Sequence, residues 1–411
     1  MNKLISAATA LAALTASAGP TWAAPKEEVL YDFKGHKGGS VPLASLTPYN
    51  GDFVSLYSSM NVRKTFGGGY ELNLDAHHRN KVQIIWKFSR SDANPAYSGL
   101  VSDTNGNLYG TTLAGHLFEL VPPQKGQTTW SYNNLYDFPV GYFPVAGVTF
   151  GADGALYGPV GGCSGTFGCI MRFTPNKKGK WTGAELYDFT SGNDAYQPAA
   201  PISFGPGGAI YGTTEYGGGG TQCNNSLGCG TVYQLTPPAQ GQTNWTEAVL
   251  YAFTGGADGA NPLGGVTFDQ AGNLYSTTYS NYVKPYGGVA FELSPPAQGQ
   301  TAWTYTQIYA FRANDKDAAL PTSGMVFDAA GRLYGTTYSG GSAGAGAVYQ
   351  LTPPHGPSKT WTETVLYSFG SHQFDGLQPW AAPTFDGNNV LLGTTSNGGR
   401  GFFGTIWRLK F

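Results

Sequence analysis

The sequence predicts an all-β fold, a seven-bladed β-propeller whose four-stranded blades are closed by a strand from the N-terminus. Three observations carry this. A phrase returns along the chain, as "GNLYGTT" (106–112), "GAIYGTT" (208–214) and "GRLYGTT" (331–337), at the long end of the spacings used by propeller blades. The 411 residues include 61 glycines and 26 prolines, with 14% aromatic and only 12% charged residues, which favours short strands and tight turns over helices. Third, "EEVLYDF" (27–33) matches "AVLYAF" (248–253) and "ETVLYSF" (363–369), yet it stands before any repeat it could end.

Taken in order, residues 1–24 read as a secretory signal: Lys3, then an apolar stretch too short to span a bilayer, then small residues suited to cleavage. Residues 25–411 form one propeller domain. A complete unit is seen in "GGVTFD" (264–269), "LYSTT" (274–278), "GVAFELSPP" (288–296) and "TYTQIYAF" (304–311), termed strands A, B, C and D. Gly, Asn, Asp and Pro bound each, as expected of an up-and-down meander. Strand B occurs at about 52–58, 108–112, 156–160, 210–214, 274–278, 333–337 and 390–395. The last unit stops after its C strand, "GTIWRLKF" (404–411), and "EEVLYDF" supplies the missing D. Such closure removes the exposed edge where the termini meet.

The connections follow the same logic. Asp194, Asp258, Asp317 and Asp375 recur before a proline in the D-to-A connections and read as acceptors for backbone N–H groups in turns. Trp130, Trp181, Trp245, Trp303 and Trp361 open D strands and read as packing between blades. Cys163 with Cys169, and Cys223 with Cys229, flank short Gly-containing loops, which predicts two local disulfides and an oxidising compartment. A net charge of −2 excludes a general pull toward nucleic acid or anionic membrane. The expected protein is a secreted or periplasmic monomer without a membrane anchor.

The phrases "FDQAGNLYSTT" (268–278), "FDAAGRLYGTT" (327–337), "GCGTVYQLTPP" (228–238) and "WTETVLYSF" (361–369) resemble the GloVer tandem repeat of secreted bacterial proteins. The resemblance covers nearly the whole mature chain and weakens over 40–90. It implies export and a propeller-like array, and little about activity.

Function is sought where the repeat is broken on the face that carries the D-to-A and B-to-C connections. "KGHKGGSVP" (34–42) brings His36 and Lys37. "GSHQFDGLQPW" (370–380) brings His372 and Trp380, and "SNGGRGFFG" (396–404) brings Arg400, Phe402 and Phe403. Arg63, His116, Tyr142, Phe143 and Tyr279 complete a basic and aromatic set. Aromatic faces stack on sugar C–H surfaces and Arg or Lys pairs with carboxylates, so an extracellular polysaccharide or similar polymer is the expected partner. A second reading is a polysaccharide lyase. His36 or His372 would abstract the proton α to a carboxylate, Tyr142 would protonate the leaving oxygen, and Arg400 or Arg63 would neutralise the acid. A third is a structural or adhesion scaffold. No motif for a nucleotide, metal or other cofactor is evident, and a structural calcium in the channel is compatible with the sequence.

Overall fold

The computed structural model describes residues 25–35, 39–58, 67–74, 81–89, 99–164, 167–176, 180–190, 192–220, 222–223, 227–283, 286–314, 316–355 and 360–411. Seven small antiparallel sheets form the ring of a propeller. Blade 5 is the regular case, with Thr267–Phe268 as A, Leu274–Thr278 as B, Tyr286–Ser294 as C and Thr304–Arg312 as D. Blade 7 consists of Thr384–Phe385, Val390–Thr395 and Thr405–Lys410, completed by Lys26–Asp32 as its D strand. The ring is therefore closed by both ends of the chain, as the sequence predicted.

The refrain "LYxF" is explained by a β-bulge. In every blade the C–D ladder shifts register beside the Leu or Ile of this phrase, and in the N-terminal strand the shift falls between Val29 and Tyr31. A bulge inserts one unpaired residue and bends the strand, so adjacent apolar side chains are not forced to opposite faces of a flat ladder. The phenylalanine that ends the phrase then crosses to the next blade. Seven such aromatic pairs ring the molecule: Phe88–Phe118, Phe138–Phe173, Phe189–Tyr233, Phe253–Phe291, Phe311–Tyr349, Phe369–Trp407 and, across the closure, Phe33–Tyr70. Their centroids lie 4.9–5.6 Å apart. Each such pair contributes about 0.5–1.5 kcal/mol beyond its buried area.

The "GTT" of strand B is structural too. The C-strand aromatic lies against the glycine, so a Cβ at Gly393 would meet Trp407 and one at Gly335 would meet Tyr349. The first threonine reaches the next blade: Thr213 Oγ1 donates to Gly264 O (2.9 Å), Thr277 to Ser323 O (2.9 Å), Thr336 to Ala381 O (2.8 Å) and Thr394 to Ala44 O (3.3 Å), the last spanning the closure. The predicted turn role of the aspartates holds. Asp194, Asp258, Asp317 and Asp375 accept backbone N–H groups of Thr190, Thr254, Arg312 and Ser371 at 2.8–3.0 Å. Both predicted disulfides are present, Cys163–Cys169 and Cys223–Cys229. No helix among the described residues is long and apolar enough to cross a membrane.

The A strands, or the residues leading into them, surround a central cavity of about 420 Å³ to which all seven blades contribute. Its lining is mostly small and apolar, with Ser45, Thr149, Ser203, Thr267 and Ser323 among the polar exceptions, and no charged residue lines it among the described residues.

Candidate ligand-binding face

The residues singled out by sequence fall into separate groups. His36, Lys37 and Arg63 lie outside the described residues. His116 sits at the start of the C strand of blade 2, where its Nδ1 lies 2.8 Å from Asp137 Oδ1. Asn134 also donates to Asp137 and, ahead of the histidine, holds that carboxyl below its ordinary range. Tyr142 and Phe143 belong to the entry of blade 3, where Tyr142 Oη donates to Glu185 Oε1 and meets Ser164 Oγ at 2.8 Å. The bond to Glu185 raises the pKa of the Tyr142 phenol.

Trp380 and Tyr279 come toward one another through a residue that sequence reading passed over. Trp380 borders the central cavity, and its ring packs edge-on against Tyr338 at 5.7 Å. Tyr338 is in turn the neighbour whose charge, after burial, raises the pKa of Tyr279. Tyr279 and Tyr338 each follow the "TT" of a B strand, in blades 5 and 6, so these two tyrosines arise from one position of the repeat, and the aromatic row meets the cavity only at Trp380. Beside Trp380, Asn397 Nδ2 donates to Gln378 Oε1 at 2.6 Å.

His372 and Arg400 sit on the two connections beside blade 7, Arg400 reaching over Phe374, two residues from His372, and the N-terminal strand anchors Arg400. Arg400 N donates to Asp32 Oδ1 (3.0 Å), and its guanidinium reaches Asp32 Oδ2 at 3.8 Å. The guanidinium lies over the ring of Phe374, 5.6 Å from its centroid. Phe402, two residues beyond Arg400, is 70% exposed, and Phe374 is exposed as well. Both phenylalanines adopt left-handed backbone, with φ of 59° and 66°. This conformation is uncommon for bulky residues, and such strain clusters at functional positions. Tyr142 is not part of this group, since blades 1 and 2 stand between blades 3 and 7 in the ring.

In the same connection as Phe374, His372 Nε2 lies 3.0 Å from Tyr367 Oη, which donates to Asp375 Oδ2 at 2.9 Å. Glu27 joins from the N-terminal strand, its Oε2 3.8 Å from His372 Nε2. Burial first, and then the charge of Asp375, push the Glu27 carboxyl up to about 7. Two other junctions repeat the acid pair. Burial and Asp194 push Glu247 up to about 7, and burial and Asp317 do the same to Glu363. Glu27 reads as an ordinary strand residue in sequence. Its recurrence as the Glu of "TEAVLY" and "TETVLY" was the available signal.

The model of the Gloeobacter/Verrucomicrobia repeat matches residues 114–301 and 219–411, together more than half of the chain. No curated protein matches the sequence. Among solved structures, an oligogalacturonate lyase in complex with manganese is similar at 12% identity, with 95% of this chain and 98% of that one covered and a TM-score of 0.52. A gluconolactonase from Xanthomonas campestris is similar at 15% identity, with coverages of 90% and 97% and a TM-score of 0.40. The polysaccharide lyase Uly1 is similar at 11% identity, with 92% of each chain covered and a TM-score of 0.48. At these identities the likeness is one of fold.

Proposed function

The chain belongs to the Gloeobacter/Verrucomicrobia repeat family, and from that premise we propose that it is an exported propeller that binds an acidic extracellular glycan on the outer platform of blade 7. Arg400 pairs with a carboxylate or sulfate of the polymer, and Phe374 and Phe402 stack on its sugar faces. The aromatic edge formed by Tyr279, Tyr338 and Trp380 extends the surface toward the central cavity and adds further weak contacts along a long ligand. Export to the periplasm or the medium accords with the two disulfides.

One observation carries this reading. Phe402 is exposed and left-handed at the position where the matching loop of blade 6 has Gly344, with φ of 70°. A repeat that can use glycine there has an exposed aromatic instead, beside a stacked arginine.

The test is calorimetry of the full mature chain with polygalacturonate, and with an uncharged polysaccharide as control. Binding of the acidic polymer is expected, with affinity falling roughly tenfold in Arg400→Gln for the loss of one charge pair of about 1.4 kcal/mol. Equal binding of both polymers, or of neither, would overturn the proposal. The same mixtures are read in the near ultraviolet. An unsaturated product formed by the wild type and absent with His372→Ala would replace binding by elimination as the function.

A further inference from the structure

The N-terminal strand does more than close the ring, because it completes a set of metal-binding donors that no contiguous stretch of the sequence contains. Glu27, His372 and Asp375 each offer one donor atom, and these atoms all lie within 4.8 Å of one another. His372 Nε2 is 3.8 Å from Glu27 Oε2 and 3.9 Å from Asp375 Oδ2. Two donors bound at about 2.1 Å to a shared ion stand at most about 4.2 Å apart, so both spacings fit.

A second observation, independent of this clustering, concerns the remaining oxygens. The side chains of Glu27 and Asp375 are only 4% and 0% exposed. Yet Glu27 Oε1 and Asp375 Oδ1 are buried without any hydrogen-bond partner. Asp375 satisfies its turn entirely through Oδ2, which receives Ser371 N and Tyr367 Oη, so Oδ1 is left over. Unpaired carboxylate oxygens held out of water are costly, and a divalent cation between the two acids would offset that cost.

We propose that Glu27, His372 and Asp375 form a binding site for a first-row divalent cation of the zinc type. The imidazole separates this set from a calcium site, which would be built of oxygens alone, and favours a borderline ion. Tyr367 holds Asp375 in place through its hydroxyl, as groups behind metal ligands commonly do. The ion ties the first strand of the domain to the connection between blades 6 and 7. The equivalent junction between blades 5 and 6 repeats the acid pair as Glu363 and Asp317, with Glu363 Oε1 and Asp317 Oδ1 likewise unpartnered, but Asn314 stands where His372 would be. It therefore lacks the nitrogen donor.

The experiment is calorimetric titration of zinc into the chelator-stripped full mature chain, with manganese and calcium in parallel. One equivalent of zinc is expected, bound more tightly than calcium. His372→Ala, at a half-exposed position whose loss should leave the fold intact, weakens zinc binding by roughly tenfold or more, whereas Glu363→Gln leaves it unchanged. Absence of zinc uptake by the wild type, preference for calcium, or uptake undiminished in His372→Ala would each overturn the proposal. None of these readouts involves a glycan, so the result stands apart from the fate of the binding function.

Discussion

Blades 6 and 7 build the same loop with different side chains. In blade 6 the B-to-C loop reads "SGGSAGAGA" (339–347), and in blade 7 "NGGRGFFGT" (397–405). The backbones correspond bond for bond. Gly341 N donates to Asp317 O as Gly399 N donates to Asp375 O, both at 2.8 Å. Gly346 N to Gly340 O at 3.1 Å is matched by Gly404 N to Gly398 O at 3.2 Å. Onto this shared frame blade 6 places serine, alanine and glycine, while blade 7 places Arg400, Phe402 and Phe403. The adjoining connection has Asn314 and Lys316 in one case and His372 and Phe374 in the other. Between these two blades the repeat supplies the shared geometry, and the side chains differ where the two ends of the chain meet.

The strongest way to break this comparison is to ask whether the closure is equivalent to an ordinary junction. Phe33 and Phe369 occupy the same place in the refrain, both fully buried, one packed on Tyr70 and the other on Trp407. Truncation of a buried phenylalanine costs about 3–5 kcal/mol. Phe33→Ala and Phe369→Ala should lower the denaturant midpoint by comparable amounts. A small loss confined to Phe33→Ala would mean that the N-terminal strand is an appendage and that the platform it supports is only loosely held.

The fold was legible because its rules are local and repeated. "LYxF" and "GTT" could be counted in sequence before their physical meaning, a bulge and an inter-blade hydroxyl contact, was visible. The N-terminal strand could be assigned to the last blade for the same reason. The candidate site was legible only in part. Arg400 and His372 stood out as departures from the repeat, but Phe374 was passed over beside them, since an aromatic in a loop carries no sign of a left-handed backbone. Tyr142 was grouped with them because all lie on one face, and a linear sequence does not say how far round a ring two loops stand. Glu27 was hidden by its own regularity. Its meaning depends on His372, which lies more than three hundred residues away in the chain.

The acid pairs sharpen the comparison through pH. Glu247 and Glu363 hold their protons in the folded state up to about 7, against 4.5 for the ordinary carboxyl, with burial as the first cause and the neighbouring aspartate as the second. Because the folded form binds these protons more tightly, their contribution to stability is complete below pH 4.5 and is lost as pH rises through 7. The unfolding temperature should therefore fall across this window. The combined variant Glu247→Gln, Glu363→Gln should lose most of that slope while matching the wild type near pH 4.5, as followed by thermal melts in one buffer series. A slope unchanged by the substitutions would show that these carboxyls are ionised in the folded protein. The difference between blades 6 and 7 would then lie in more than the histidine.

The smallest effect is the most specific. Phe402 occupies the position of Gly344, where an added side chain would meet nothing within 4 Å. Its ring is accordingly in solvent, and its backbone conformation is one that glycine adopts without steric penalty. Phe402→Gly removes the strain but also frees the unfolded chain, and these opposing terms leave stability unchanged or raised by no more than about 1 kcal/mol. Over the same substitution the affinity for an acidic polymer should fall, since a stacking face is lost. A large loss of stability would identify Phe402 as a packing residue. Unchanged stability with unchanged binding would leave Arg400 and Phe374 as the whole of the platform. Unchanged or raised stability with weakened binding is the outcome expected if blade 7 accepts a strained aromatic, where blade 6 uses glycine, in order to hold a ligand.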